Sequence, residues 1–315
     1  MPLRPAYQPR WAERPLPWPL MSSLPSLRLL SVHAHPDDEA SKGASTVARY
    51  QEEGARSVLV CCTGGEAGDI LNPAMDRPEV IENLKAVRAE ELAASAKIIG
   101  YDEVVMLGYR DSGMTDSEDN ARPEAFANAP LEESVGRLVA IIRRERPQVI
   151  ITYPDERKGY NHPDHLMVHD ITLPAFEAAG DPEQYPEAGE PWQPSKLYFT
   201  VWSRARMEAL HAKFIELGLE SPYDEWWFKK RESRDHLITT QIDIGPWWEV
   251  RGEALRAHAT QIDPASSFWF GLPDEHARTV HPYDEYVLVQ SKLGEIKQGI
   301  YEDDLFAGLR NIEGN

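Results

Sequence analysis

Between Leu27 and Tyr153, short apolar runs alternate with longer helical patterns, and this alternation constrains the fold more tightly than any single motif. Leu27–Ala34, Ser57–Cys62, Glu103–Leu107 and Gln148–Tyr153 have the length and content of buried strands. Ala40–Glu53, Pro78–Ile99 and Leu131–Arg146 lie between them as helices. Gly54 and Gly100 suit the ends of the first two, and Pro78 suits a first turn. A βαβ series of this kind closes through right-handed crossovers into a parallel sheet covered by helices on both faces. The predicted fold class is α/β: a Rossmann-like, doubly wound, mostly parallel sheet. In open sheets of this type ligands sit beyond the carboxyl ends of the strands. Chemistry-bearing residues are therefore expected just after the strands.

After about Gly180 the pattern loosens. Residues 181–195 are rich in Pro and Glu and read as a loop, Lys196–Trp202 and Thr239–Ile244 as further strands, and Trp247–His258 as a helix. Trp226, Trp227, Trp247, Trp248 and Trp269 crowd this half, as packing or as one or two platforms for a ring. With no internal repeat and no second core, residues 27–315 read as one domain, in which 181–315 form an elaboration capping the active-site end. Residues 1–26 carry Pro2, Pro5, Pro9, Pro15, Pro17, Pro19 and Pro25 and no continuous apolar stretch. They read as a disordered extension rather than a signal peptide, with Met21 as an alternative start.

Composition enters mainly through what it excludes. A formal charge of -19 argues against nucleic acid, whose phosphates need Lys and Arg, and against anionic membrane surfaces. No apolar run approaches the roughly 20 residues that cross a bilayer. Cys61 and Cys62 are neighbours in a strand and point to opposite faces, so no disulfide is expected between them, and the chain reads as cytoplasmic.

Two stretches stand where the fold places sites. His33-Ala34-His35-Pro36-Asp37-Asp38-Glu39 follows the first strand. As a lone feature it is a helix start with acids favoured by the dipole. His35 and Asp38 are three apart where a helix begins, however, and imidazole plus carboxylate is a donor pair suited to zinc. Asp37 lies between them, placed to act on a metal-bound water. Tyr160-Asn161-His162-Pro163-Asp164-His165 follows the fourth strand, with Pro163 and Asp164 in the first turn of a new helix. His35, Asp38 and His165 would supply three protein ligands and leave a fourth position for water, as in a catalytic zinc site. His169, one turn beyond His165, is the rival ligand. Such a nitrogen and oxygen set without cysteine also tolerates Fe2+. Asp164 is placed to orient His162.

Together, His35-Pro36-Asp37-Asp38, the loop Thr63-Gly64-Gly65-Glu66 and His162-Pro163-Asp164-His165 resemble the LmbE/PIG-L family of zinc-dependent N-deacetylases and amidases. The likeness runs from about Leu27 to the C-terminus. It includes Ser41-Lys42-Gly43, the stretch from Gly68 to Asp76, Ala257-His258-Ala259-Thr260-Gln261-Ile262-Asp263-Pro264 and Glu302-Asp303-Asp304-Leu305-Phe306-Ala307-Gly308. The resemblance implies one Zn2+ on His35, Asp38 and His165, with Asp37 as general base. It implies that His162 stabilises the oxyanion or donates a proton, and that Tyr160 is a mobile residue able to approach the metal. Glu66, Arg88 and Asp111 match residues that bind sugar or inositol hydroxyls. Lys42 leans toward the amidase branch, whose substrate is a small glucosaminyl-inositol thiol conjugate.

Each of these residues also has a plainer role. Arg88 can pair with Glu91 along a helix, Asp111 can belong to a turn, and His258, read as pocket-lining, can be a core histidine. The Glu66 loop lacks Lys-Ser/Thr and is no phosphate-binding P-loop. Two other functions stay open: deacetylation of an N-acetylglucosaminyl conjugate in low-molecular-weight thiol biosynthesis, and a non-catalytic nucleotide- or metal-binding Rossmann-like protein. The nucleotide reading expects Gly-x-Gly-x-x-Gly after the first strand, where the chain has His-Pro-Asp-Asp.

Overall fold

The computed structural model describes residues 27–157, 159–223, 228–229 and 232–310. The extension 1–26 with Met21, and Trp226 and Trp227, lie outside the described residues. A seven-stranded sheet carries the order β3-β2-β1-β4-β5-β7-β6. Its strands are β1 (Arg28–His33), β2 (Arg56–Thr63), β3 (Glu103–Tyr109), β4 (Val149–Thr152), β5 (Lys196–Val201), β6 (Thr240–Asp243) and β7 (Tyr283–Ser291). β3, β2, β1, β4 and β5 pair in parallel, while β7 is antiparallel to both β5 and β6. The fold is thus the expected α/β, mostly parallel sheet.

Neighbouring residues on each central strand serve opposite helical layers, as a period of two demands. Leu30, Val32, Val58, Val60 and Ile150 pack with Leu138, Ile142, Val168 and Ile171 on one face. Leu29, Val149 and Ile151 pack with Val47, Tyr50, Ala254 and Leu255 on the other. Helix α5 (Leu131–Glu145) shows why: Val135, Leu138, Val139 and Ile142 fall on one stripe at helical spacing, and all four are buried. Each such side chain contributes roughly 1.5–3 kcal/mol by leaving water. The helix ends where Arg146 turns left-handed (φ 54) ahead of Pro147. Cys61 and Cys62 are free, buried and divided between two clusters.

Several boundaries differ from the sequence reading. The single helix expected over Ala40–Glu53 is two, α1 (Asp38–Ser41) and α2 (Ala44–Glu52), broken at Lys42-Gly43. Gly43 sits at φ 97, and a Cβ there would stand 3.0 Å from the Tyr286 hydroxyl. Pro78–Ile99 likewise divides into α3 (Pro78–Ile81) and α4 (Leu84–Ile99). Between them the Asn83 side chain donates to the Glu79 carbonyl at 2.9 Å, competing with the helical ladder. α6 (Pro163–Ala178) starts at Pro163 as expected. β7 was not foreseen, because Asp284 and Glu285 are buried within it and mask its alternation.

The stretch after residue 180 does two things. It completes the sheet through β5, β6 and β7, and it adds α7 (Arg204–Glu216), α8 (Trp248–Ala257), α9 (Ser267–Phe270) and α10 (Asp274–Val280). Trp202, Gln261, Phe268 and Trp269 reach the cavity beyond the strand ends. Because β1 leads to β2 on one side and pairs with β4 on the other, the crevice between β1 and β4 is the switch point of the sheet. Among the described residues, no helix is long and apolar enough to cross a membrane.

Candidate active site and metal centre

At the switch point the chain leaves β1 through His33 and enters α1 at Asp38. It leaves β4 through Tyr153 and enters α6 at Pro163. These two turns bring His35, Asp38 and His165 together, all buried, with donor atoms within 4.8 Å of one another. His35 Nδ1 lies 3.5 Å from Asp38 Oδ2, and His165 Nε2 lies 3.4 Å from the same oxygen. Those separations are longer than the ordinary range of about 2.7–3.2 Å of an N–H···O bond. They match the edge of about 3.4 Å of a tetrahedron whose centre is bonded to N and O at about 2.0–2.1 Å, the zinc distance. The trio therefore fits a metal ion.

The surroundings fix each donor. Lys42 Nζ donates to Asp38 Oδ1 at 2.6 Å, leaving Oδ2 toward the histidines. Burial opposes the Asp38 carboxylate, but Lys42 and His165 hold it well below its usual range. Burial likewise opposes protonation of His35, yet Asp111, Asp164 and Asp38 raise it well above the ordinary imidazole value. His35 Nε2 donates to Asp164 Oδ2 at 3.1 Å and faces Asp111 Oδ1 at 3.6 Å. Asp164 is anchored by the Ser112 backbone N–H at 2.9 Å and by the Ser112 hydroxyl. Carboxylates placed behind a ligating imidazole in this way set its tautomer and basicity. The His165 ring stacks on Tyr153, centroids 4.5 Å apart and 14° from parallel. The Tyr153 hydroxyl accepts from the Ala34 N–H at 3.0 Å and lies 3.1 Å from His33 Nδ1. The rival His169 instead places Nδ1 3.1 Å from the Tyr153 carbonyl, outside the metal-competent groups found among the described residues.

Asp37 stands at φ 114, a left-handed conformation that costs a residue with a Cβ of order 1–3 kcal/mol. Neighbours enforce it. Its N–H donates to Glu39 Oε2 at 2.9 Å, and Arg88 donates to the Pro36 and Gly65 carbonyls and, at 3.1 Å, to the Asp37 carboxylate. Gly65 is required for this approach, since a Cβ there would meet the Arg88 guanidinium at 2.3 Å. Burial pushes the Asp37 carboxyl above its ordinary range, with Arg88 pulling the other way. His162 accepts the Asp164 backbone N–H at Nδ1 (3.2 Å), so the proton of the neutral ring sits on Nε2. Burial and the neighbouring His35 depress its pKa to about 4, leaving a neutral donor. The expected carboxylate partner of His162 is thus corrected: the Asp164 carboxylate holds His35, and only its main chain meets His162. Tyr160 is half exposed, with its ring 5.1 Å from that of His165.

Asp37, Lys42, Arg88, Asp111, Tyr160 and His162 all line one cavity of about 560 Å³ with His35, Asp38 and His165. Three expected site residues do not line it: Asp164 is buried behind His35, and two others stand apart. Glu66 faces Lys85 at 3.4 Å and does not line the cavity. His258 is fully buried behind it, its Nε2 2.6 Å from Glu39 Oε1. Glu39 is what the sequence reading missed: it joins His258, the Ser95 hydroxyl (2.5 Å) and the Asp37 N–H. Its place in an acidic helix start concealed this. Ser112 and Tyr153 were missed too, although both stand at strand ends, where the fold rule points.

The PIG-L family signature, described as GlcNAc-PI de-N-acetylase, matches residues 30–176. The chain is 45% identical to a mycothiol S-conjugate amidase of Streptomyces coelicolor, over 90% of this chain and 98% of that protein. It is 40% identical to a 1D-myo-inositol 2-acetamido-2-deoxy-alpha-D-glucopyranoside deacetylase of Streptomyces avermitilis, over 92% and 99% respectively. Among solved structures, N,N'-diacetylchitobiose deacetylase from Pyrococcus horikoshii shares the fold, with a TM-score of 0.56, 18% identity and 83% of each chain covered.

Proposed function

The chain belongs to the PIG-L/LmbE family and is an amide-cleaving hydrolase, and from that premise we propose that it cleaves the amide of a glucosaminyl-inositol thiol S-conjugate, using one zinc ion. The observation that carries the reading is the trio His35, Asp38 and His165 at 3.4–3.5 Å spacing beside the strained Asp37. Zinc on this trio would lower the pKa of a bound water and polarise the amide carbonyl; an N, O, N donor set accepts Fe2+ as well.

The side chains divide the remaining work. Asp37, made more basic by burial, takes the proton of the attacking water and passes it to the leaving nitrogen. His162 Nε2–H, neutral and aimed by the Asp164 N–H, donates to the oxygen that gains charge. Tyr160, half exposed on the loop after β4, closes from the other side. Asp164 acts through His35, and Lys42 through Asp38. Arg88 and Asp111 offer contacts to sugar or inositol hydroxyls from the cavity wall, and Glu66 reaches the same region once it leaves Lys85. His258 supports Asp37 through Glu39.

The S-conjugate is preferred over an acetylated amine because Lys42 matches the amidase branch and identity is 45% to the S-conjugate amidase against 40% to the Streptomyces avermitilis deacetylase. Side-by-side kcat/KM values on a glucosaminyl-inositol N-acetylcysteine S-conjugate and on the N-acetylglucosaminyl-inositol test this. The S-conjugate is expected to be the better substrate; exclusive turnover of the acetylated amine would make the protein a deacetylase.

A further inference from the structure

A second cavity, of about 340 Å³, lies against α7, α8 and α9. It shares Trp202, Leu255, Phe268 and Trp269 with the catalytic cavity, so the two adjoin across an aromatic wall. Trp202 stacks on Phe268 at 5.7 Å, and Trp269 meets both edge-on. Beyond the wall Met207, Leu210, Phe214 and Leu272 give the lining an apolar body, and its buried charged groups are two arginines.

Arg206 and Arg251 line this cavity and are each only 8% exposed. Arg251 pairs with Asp284 Oδ1, and Arg206 Nη1 stands 3.8 Å from that same oxygen, beyond hydrogen-bond reach. Asp284 Oδ2 already accepts from the Thr46 hydroxyl at 2.9 Å. Glu285 next to it is engaged by Gln241 and His281, both at 3.2 Å. Among the described residues Asp284 is the carboxylate that pairs within 4.0 Å with these two buried guanidiniums, and Glu285 acts on Arg206 from farther off. Arg206 Nε and Arg251 Nε and Nη1 have no hydrogen-bond partner among the described residues. Buried donors left this way cost free energy that an arriving acceptor recovers. Burial and Arg251 lower the Arg206 pKa to about 10, so the Arg206 guanidinium stays charged at neutral pH. Exposed Glu249, Glu253, Asp274 and Arg256 also line this cavity.

We propose that this second cavity is a binding subsite for an aromatic carboxylate, its ring held among the aromatic and aliphatic side chains and its carboxylate by Arg206 and Arg251. Guanidinium forks match carboxylate geometry, and the aromatic lining supplies the apolar burial. Its adjacency suits a substrate substituent remote from the scissile amide. That link to catalysis rests on the hydrolase reading; the binding itself does not.

Calorimetric titration of the full chain with 2-naphthoate and its neutral isostere 2-naphthamide tests the proposal, with the protein both zinc-loaded and chelated. 2-Naphthoate is expected to bind equally in both states and at least about tenfold more tightly than the amide. Arg206→Met should weaken it at least about tenfold, and Leu210→Trp, which fills the cavity and leaves both arginines, should abolish it. Both variants should keep the wild-type circular dichroism and turnover of a small acetylated substrate. No binding, equal affinity for the amide, loss of binding on chelation, or persistence in Leu210→Trp would each overturn the proposal. An enzyme inactive on every amide that still binds 2-naphthoate would instead sink the functional reading and leave the subsite standing.

Discussion

Asp164 takes two hydrogen bonds from Ser112 and passes their constraint to His35, so one hydroxyl outside the proposed ligand trio would bear on how a metal is held there. Ser112→Ala is expected to weaken zinc binding about 10–100-fold, with kcat nearly restored at saturating metal. Competition with a chelating dye measures this, and unchanged affinity would remove Asp164 from the support of His35. Asp37→Asn should keep the metal and lose about 10²–10⁴ in kcat, since the base goes while the ligands stay. The buried pair behind Asp37 makes a pH prediction. Burial opposes both charges, yet His258 holds Glu39 below its usual range and Glu39 holds His258 above its own. The Glu39 contribution is full above about pH 4.3, the unfolded value, and is lost as pH falls through the lower folded one. The His258 contribution is full below about pH 6.5 and is lost as pH rises through the higher folded value. Glu39→Gln should cost on the order of 3–5 kcal/mol between those limits and flatten both flanks of the denaturation free energy against pH. Unaltered flanks would mean that other groups set them.

The break at Lys42-Gly43 matters more to the site than the length of the helices beside it. Gly43 at φ 97 lets the chain turn between α1 and α2 while Lys42 reaches Asp38. Gly43→Ala places a Cβ against the Tyr286 hydroxyl in a conformation that disfavours it, and should cost about 1–2 kcal/mol. The urea midpoint should fall and kcat with it as Lys42 shifts; a midpoint equal to wild type would show that the turn tolerates a side chain. Such breaks escaped the sequence because apolar periodicity runs through them: nothing in Ala40–Glu53 but one glycine marks the turn. β1, β2 and β4 were legible because strands buried on both faces read as continuous apolar runs. β7 was not, because Asp284 and Glu285, buried by pairing with Arg251, Gln241 and His281, look like surface residues in a sequence.

Across the whole molecule, the rule that ligands gather at the switch point of a doubly wound sheet points to the place where His35, Asp38 and His165 come together. Two His-Pro-Asp turns more than a hundred residues apart can meet only there, and the separations of 3.4–3.5 Å give that meeting a chemical meaning. What the sequence left hidden depends on distant chain: the His258–Glu39 support, the Trp202, Phe268 and Trp269 wall, and the arginine cavity behind it. None of these has a local pattern, since each is assembled from elements far apart in the chain. The sheet is closed by its own strand pairing and two apolar layers, so chelated protein should keep its circular dichroism. The most direct test is to titrate zinc into chelated wild-type enzyme while following hydrolysis of the glucosaminyl-inositol S-conjugate, with His165→Ala in parallel. Activity should rise linearly to a break at one zinc per chain and should not return in the variant. Full turnover by the chelated wild type, or recovery in His165→Ala, would contradict a catalytic metal on His35, Asp38 and His165.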